Sequence, residues 1–557
     1  MAISVYFNNK KITLPGAYST IAAGEQNDPR ALDYGKCLII DTGILGAKWG
    51  GGAGINGKTA NGKNAIYRFD NIDDFRTFVK GGMYWQLANA LFFPDASNAA
   101  AVGISELMFV RAATTTPASM TFTATGGGAN GGANGGTFKI NTLDEGLNAN
   151  GLGVDGSAAN EDLATGYAFT IVSGVLDPSK WIFQIWRGTF TGLAPDGVAY
   201  NEVSAENSIP RLIIESPEFN NMNELINWAR TSSSFNQLFQ LDETSKPSGT
   251  GEINSGDVTV LTGYAPATGG TETYGTDDFS AVLAAIVNTD ESFVFTDQYG
   301  LTNYKSTLNQ QLIAHVNNTA KFKKLVLVGV GDEQGDFSTS LEAAVGFNSS
   351  HVAVVHGGVA TPSTALGIGY RWWGVMYNLC SIVGRTAGKA PQIPVTNKSI
   401  GVSKLKHQLT ETEKKQALNA GVLVTVYNES TQRFVVLQGV NTLQDNEVLF
   451  TNNGESFSIQ FMRIVDQINK ELIVNSEIDL LSAENGVNAN TLSAGILKNW
   501  TENYLLTRTA NTNADNLILS YRDVTVTKKA DYYLVTYGIV INNEINKIFF
   551  TGFVFNS

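Results

Sequence analysis

From Thr276 onward the chain alternates short, wholly apolar runs with amphipathic stretches, and nothing else in it limits the possible folds as tightly. Phe279, Val282, Leu283 and Ile286 make a helical stripe, followed by the run Phe293–Thr296. Leu308, Leu312 and Val316 make the next, followed by Leu325–Val330; a helix around Leu341–Val345 then precedes the run His351–His356. A run that is apolar at every position must be covered on both faces, and helices on either side of a mostly parallel sheet give that cover. The expected fold class is α/β, with Ala365–Gly384 as one more buried helix over the sheet. That stretch is long enough to span a bilayer, but Arg371, Asn378 and its internal glycines are expensive in lipid, so no membrane span is expected.

The flanking segments read as further units of a multidomain chain. Upstream, the strand Cys37–Asp41, helices over Ile72–Val79 and Tyr84–Phe92 and the strand Leu107–Arg111 suggest an α/β domain over 21–113. Residues 114–275 change character: Thr, Gly, Asn and Ser dominate, and Gly/Asn tracts separate short strands at Met120–Ala124, Phe138–Asn141, Ala168–Val172 and Lys180–Arg187. This reads as a β-rich insertion, with a helix near Leu225–Trp228. After the central domain, 276–396, another α/β domain covers 397–557. There Thr410-Glu-Thr-Glu413 is a capping box, Gly421 ends its helix, and strands Val422–Tyr427 and Phe434–Gln438 follow. Helices over Phe457–Leu472 and Thr491–Leu506 complete it, with apolar residues at helical spacing.

Both ends of the chain read as strands. Ile3, Val5 and Phe7 alternate with Ser4, Tyr6 and Asn8; Ile12 and Leu14 resume the pattern after Asn8-Asn9-Lys10, and Pro15-Gly16 closes an N-terminal strand arm over 1–20. At the other end, Tyr532–Ile541 joins Ile545–Phe555 through Asn542-Asn543, a pair that tolerates a tight hairpin. In this last strand, within an arm over 545–557, Ile548, Phe550 and Val554 lie on one side and Phe549, Phe553 and Phe555 on the other. Covering such groups is worth roughly 1.5–3 kcal/mol each. Each end either closes inside its own domain or adds to the sheet of another subunit.

Sites of chemistry are weakly signalled. Gly384-Arg-Thr-Ala-Gly388-Lys389-Ala390 resembles a phosphate loop, but its glycine spacing is one short and Ala390 stands where a Ser or Thr must hold Mg²⁺. Gly329-Val-Gly331 opens like a dinucleotide fingerprint, yet the third glycine, Gly335, is late and Asp332, Glu333 and Asp336 would repel a pyrophosphate. Asp297, His315, His351 or His356, and Ser363 occur in a hydrolase-like order without a sharp nucleophile turn. Asp144, Glu145, Asp155, Glu161 and Asp162 lack the ligand order of a calcium loop. Trp181, Phe183, Trp186, Trp372 and Trp373 cluster as core residues do, without the basic neighbours of a base-stacking platform. No catalytic site, cofactor or metal is expected.

Charge and cysteine content narrow the partners. The net charge of −13 argues against nucleic acid binding. It resides wholly in residues 1–320, with 18 Lys+Arg against 31 Asp+Glu, so the remainder is neutral. Two cysteines, Cys37 and Cys380, offer no disulfide framework and suit a reducing place of synthesis. The first residues, Met-Ala-Ile-Ser-Val-Tyr-Phe, do not read as a secretory leader. With only 16% charged residues, the faces suit contact with other subunits.

The same segments, in order, resemble the contractile tail sheath proteins of myophage-type viruses and related injection systems. Leu14-Pro-Gly-Ala-Tyr18 is similar to the family's opening; Phe69-Asp-Asn-Ile-Asp-Asp-Phe75, Leu87–Phe93 and Leu107-Met-Phe-Val-Arg111 are similar to its first domain, and Thr276-Asp-Asp-Phe279 opens a similar central one. Asn397-Lys-Ser-Ile-Gly-Val402, Leu409 to Glu413, Ala420-Gly-Val422, Gly439-Val-Asn-Thr-Leu443, Arg463-Ile-Val-Asp466 and Val524 to Phe555 continue the order. Residues 114–275 depart from it, as outward-facing insertions of the family do.

The resemblance implies a subtilisin-like central domain without a protease role, and a non-enzymatic structural protein. It implies stacked hexameric rings around a tail tube, contraction that drives the tube through a target envelope, and baseplate and tail terminator proteins as further partners. Neither direct nucleic-acid contact nor membrane insertion is implied. The place would be the virion tail, assembled in the bacterial host cytoplasm. The arms carried over would be Ile3, Val5, Phe7, Ile12 and Leu14 at one end and Ile545, Ile548, Phe549, Phe550, Phe553 and Phe555 at the other, pairing with neighbouring subunits. The alternatives are the sheath of a phage-like injection device that delivers effectors, another repeating virion component, and, most distant, a hydrolase on the central domain.

Overall fold

The computed structural model describes residues 5–7, 10–12, 35–42, 65–79, 84–112, 114–124, 136–145, 167–178, 180–187, 211–219, 222–242, 265–266, 271–273, 276–362, 370–444, 451, 455–481, 492–509, 517–529 and 532–541. The N-terminal segment expected as one strand is two, β1 (Val5–Phe7) and β2 (Lys10–Ile12), paired antiparallel with Phe7 opposite Lys10 and Val5 opposite Ile12. Two residues, Asn8-Asn9, separate them, and such a pair favours the tight turn of a two-residue hairpin.

Next come β3 (Lys36–Asp41), β4 (Tyr67–Phe69), α1 (Ile72–Phe78), α2 (Tyr84–Phe92) and β5 (Glu106–Arg111). Asn71 caps α1 by accepting from the Asp74 amide at 2.8 Å. The insertion follows as β6 (Thr114–Ala124), β7 (Gly136–Glu145), β8 (Tyr167–Ser173), β9 (Trp181–Arg187), β10 (Arg211–Glu215), α3 (Met222–Thr231), α4 (Ser233–Leu238), β11 (Phe239–Leu241), β12 (Ala265–Pro266) and β13 (Thr271–Thr273). Its strands form two antiparallel four-stranded sheets, ordered β10-β9-β8-β12 and β11-β7-β6-β13. They share a core that includes Phe169, Ile171, Phe183, Ile185, Phe235 and Phe239.

The central part runs α5 (Thr276–Ala285), β14 (Phe293–Thr296), α6 (Gly300–Asn303), α7 (Thr307–Asn318), β15 (Leu325–Gly331), α8 (Phe337–Phe347), β16 (Val352–His356), β17 (Val359–Pro362), β18 (Tyr370–Trp373) and α9 (Val375–Ala387). It continues through β19 (Lys404–Leu405), α10 (Glu411–Ala420), β20 (Val422–Asn428) and β21 (Arg433–Val436). One eight-stranded sheet, ordered β21-β20-β16-β15-β14-β3-β5-β4, draws strands from three segments read from sequence as separate α/β domains. The six inner strands are parallel, and the outermost, β4 and β21, are antiparallel to their neighbours. β3 shows why the segments merge: it is apolar on both faces and needs a neighbour along each edge, which β14 and β5 supply. Cys37 and Ile39 enter the core under α1, α2 and α9, while Leu38 and Ile40 enter the opposite core under α5, α7 and α8.

The helix expected over Ala365–Gly384 is instead divided. Residues 370–373 pair with β17, Trp373 opposite Val359, a helix begins at Val375, and residues 365–369 lie outside the described ones. A continuous apolar run does not by itself distinguish buried strand from buried helix. Here the helix starts where Asp332 accepts from the Val375 amide at 2.6 Å. The capping box before α10 forms as the sequence requires: Thr410 Oγ1 accepts from the Glu413 amide at 3.3 Å and Glu413 from the Thr410 amide at 2.8 Å. Gly421 ends the helix at φ +79, and a Cβ there would stand 2.1 Å from the Asn441 carbonyl.

The C-terminal part has α11 (Ile459–Ser476), α12 (Ala494–Thr507), β22 (Ser520–Lys528) and β23 (Tyr533–Val540). β22 and β23 form a separate two-stranded antiparallel sheet over a small core of Ile464, Ile468, Leu505, Leu517, Ile518 and Val524.

Candidate functional site

An α/β sheet ordinarily binds ligands in the crevice at its switch point, and a sheet edge can take a further strand. Strand order reverses between β3 and β14, and the crevice at their carboxyl ends is the usual ligand position. Here it is filled by side chains engaged with each other. Asp297 accepts from the Thr42 amide at 2.8 Å and from Thr42 Oγ1 at 2.7 Å, and Gln298 Nε2 donates to Thr42 Oγ1 at 2.6 Å. Asp41 accepts from Arg111 Nε and from Tyr84 OH, both at 2.9 Å, with the side chains of Asp41 and Arg111 0% and 1% exposed. Burial, and then the neighbouring Asp41, push the Tyr84 phenol well above its ordinary range.

The hydrolase-like residues are dispersed. Asp297 lies in that crevice. His315, on α7, is lowered from its ordinary pKa by burial and by Lys324. His351 faces Asp466 at 3.2 Å; burial opposes its charge, but Asp466 outweighs burial and raises the pKa. His356 Nδ1 lies 2.9 Å from Ser340 Oγ, and its Nε2 lies 3.0 Å from His407 Nδ1. Ser363 lies outside the described residues. The sequence reading missed Ser340 and His407, which carry no motif and meet His356 only through the fold.

The glycine motifs have structural explanations. Asp336 accepts from the Asp332 and Glu333 amides at 3.0 and 3.2 Å, so the backbone donors a pyrophosphate would use after β15 are already engaged. A Cβ on Gly331 would stand 2.4 Å from Asp336 Cβ. Gly384 lies inside α9, and a Cβ there would stand 2.4 Å from the Leu91 carbonyl of α2. These glycines allow close packing. A cavity of about 20 Å³ near Glu291, Ser292, Leu325 and Arg463, at the amino ends of β14 and β15, has room for a single water. Among the described residues no group of three or more His, Cys, Asp or Glu is placed to hold a metal, and no helix is long and apolar enough to cross a membrane.

The His356 cluster gives stability an acid limb. Burial, then His407, holds His356 down at about 4 against an ordinary 6.5. Its contribution is therefore fully present above pH 6.5 and is lost as pH falls towards 4. Between pH 6.5 and 5 the loss is about 2 kcal/mol. Asp332, held up at about 6 by burial from an ordinary 3.8, works oppositely: its contribution is present below 3.8 and lost as pH rises through 6. The variant His356→Gln should lose the acid-side decline, measured as denaturation midpoints at pH 7 and 5; an unchanged difference between the two would refute this assignment.

In the C-terminal sheet, two strands leave one edge of each without a partner among the described residues. Tyr537 and Ile539 pack against the small core, and Tyr533 OH donates to the Leu492 carbonyl at 2.6 Å, which fixes one face. Tyr532 and Leu534, by contrast, are 56% and 48% exposed. β22 is interrupted at Asp523, φ +56, where its register with β23 shifts, and it carries Arg522 and Lys528. β23 has neither charge nor proline along its length. Bulges and charges discourage strand pairing, so β23 presents the more receptive edge. α11 links this unit to the body: Ile459 enters a main core and Ile464 and Ile468 the small one. Ion pairs Lys470–Asp290 at 3.6 Å and Lys321–Glu477 at 2.8 Å reinforce the junction.

Of the arm residues read from sequence, Val5, Phe7 and Ile12 lie in β1 and β2. Ile3, Leu14, Ile545, Ile548, Phe549, Phe550, Phe553 and Phe555 lie outside the described residues, as does the Asn542-Asn543 connection. Sequence reading did not find β22 as the partner of β23, because Arg522 and Asp523 break its apolar alternation.

No protein-family model and no curated protein matches the chain, whereas solved structures do. The chain is similar to tail sheath proteins. A sheath tail protein from Desulfitobacterium hafniense aligns over 95% of this chain and 100% of its own, at TM-score 0.46 and 15% identity. One from Listeria innocua aligns over 90% of this chain and 94% of its own, at TM-score 0.44 and 11% identity. The helical sheath of the anti-feeding prophage in its contracted state aligns over 52% of this chain and 77% of its own, at TM-score 0.35 and 14% identity.

Proposed function

We propose that the chain is the repeating subunit of a contractile tail sheath, stacked as hexameric rings around a tail tube in a virion tail. The observation that carries this reading is the sheet of β22 and β23, whose outer edges have no partner among the described residues, mounted on α11 and α12 beside a body whose crevice side chains bond one another. A sheet edge is a template for a strand from another chain. The ordered sheath-like motifs of the sequence supply the partner: the terminal arms of neighbouring copies, with baseplate and terminator proteins at the ends of the polymer. Force then comes from the free-energy difference between two packings of the same subunits, and no nucleotide or catalytic group takes part. The acidic insertion faces outward.

Deleting residues 1–14, or 545–557, should leave a folded subunit that forms no tubes, because donor strands are lost while the cores described above stay whole. Electron microscopy with circular dichroism checks this; regular tubes from either truncation would overturn the reading.

A further inference from the structure

The N-terminal segment carries a pattern that a single extended strand does not explain. Val5 and Phe7 occupy odd positions and Ile12 and Leu14 even ones, so in one continuous strand they would fall on opposite faces. In the observed ladder, Val5 stands opposite Ile12, and positions 5, 7, 10 and 12 share a face. The change of parity across Asn8-Asn9 is what a two-residue hairpin needs to keep its apolar positions together.

We propose that the free subunit stores its N-terminal arm as this self-paired hairpin, and that assembly requires it to open. The proposal rests on the sheath reading and concerns the regulation of its donor strand. While β1 and β2 are paired, the backbone groups between them are bonded to each other and the segment has about half its extended reach. A hairpin with three pairs of residues is marginally stable alone. β23, at eight residues and with no partner on its outer edge among the described residues, offers a longer ladder to an opened arm, so exchange favours assembly once a second copy is in place. Self-pairing thus acts as a brake that a partner edge overcomes. If a tenth of arms are open, the apparent affinity of donation falls about tenfold.

The test locks the hairpin. Tyr6 and Lys11 are directly opposite, and such pairs stand about 4.5–5.5 Å apart between Cα atoms, within disulfide reach. In the full-length variant Tyr6→Cys/Lys11→Cys, mild oxidation of the free subunit should close the disulfide within one chain. The natural Cys37 and Cys380 are buried and should stay reduced. The oxidised subunit should keep its circular dichroism spectrum yet form no tubes, and a reductant should restore assembly to the wild-type rate. Asn9→Gly, which favours the turn, should lengthen the assembly lag several-fold without a disulfide. Failure of the disulfide to form in the folded free subunit, or tubes of normal rate from the oxidised subunit, would overturn the proposal. Absence of tubes from the wild type itself would instead overturn the sheath reading, and the disulfide yield would still decide whether the arm is self-paired.

Discussion

Replacing Arg111 by Met is expected to destabilise the folded chain by about 3–5 kcal/mol, the usual consequence of leaving a buried charge without its counter-ion. Arg111 ends β5 and meets Asp41 at the end of β3, in the sheet's interior. The substitution keeps most of the side chain's apolar volume and removes the guanidinium, so the change isolates charge from packing. Asp41, buried, would lose the cation that faces it at 2.9 Å, and a carboxylate removed from water is costly without one. The paired change Asp41→Asn with Arg111→Met should recover a large part of the loss, because no ion then remains to be neutralised. Urea denaturation followed by tryptophan fluorescence measures both. A double variant as unstable as the single one would show that the pair acts through its shape and not its charge.

The large sheet was legible because its strands are apolar at every position, a pattern with few solutions. Phe293–Thr296 coincides with β14, and the capping box at Thr410 marks the start of α10 to the residue. Other features were hidden for identifiable reasons. The stretch Ala365–Gly384 is apolar almost throughout, so its division between β18 and α9 leaves no change in hydropathy; the Asp332 contact that starts the helix comes from a different strand. β22 was missed because charged residues interrupt its alternation at the bulge, the same charges that make its edge unreceptive. The acid, histidine and hydroxyl residues that stand in a suggestive order in the sequence do not meet: Asp297 lies in the crevice, the histidines lie elsewhere, and the partners Thr42, Ser340 and His407 are set by tertiary contacts that no local spacing encodes. Val5, Phe7 and Ile12 were legible as strand residues, and the pairing of β1 with β2 becomes visible only when the parity of the apolar positions is followed across Asn8-Asn9.

Gly384→Val should be the other severe substitution, costing about 3 kcal/mol, the upper part of the range for an over-packed interior. A side chain here meets main chain and not a side chain that could rotate away: the Leu91 and Ala90 carbonyls of α2 lie 2.4 and 2.7 Å from where the Cβ would sit. α9 and α2 must therefore separate, disturbing the core that holds Leu87, Leu91, Cys380 and Val383. Gly388, just after α9, approaches a different segment as closely: its Cβ would lie 1.9 Å from the Val102 carbonyl, in the stretch between α2 and β5. A phosphate loop would give the opposite pattern, with its glycines surrounding a ligand and its lysine dominant for binding. Lys389→Met should accordingly change stability by no more than about 0.5 kcal/mol, and calorimetry should find the same lack of ATP binding before and after the change. Gly384→Val with normal stability, or ATP binding lost on Lys389→Met, would return this segment to the nucleotide-binding class. The geometry of two helices in main-chain contact assigns it to packing.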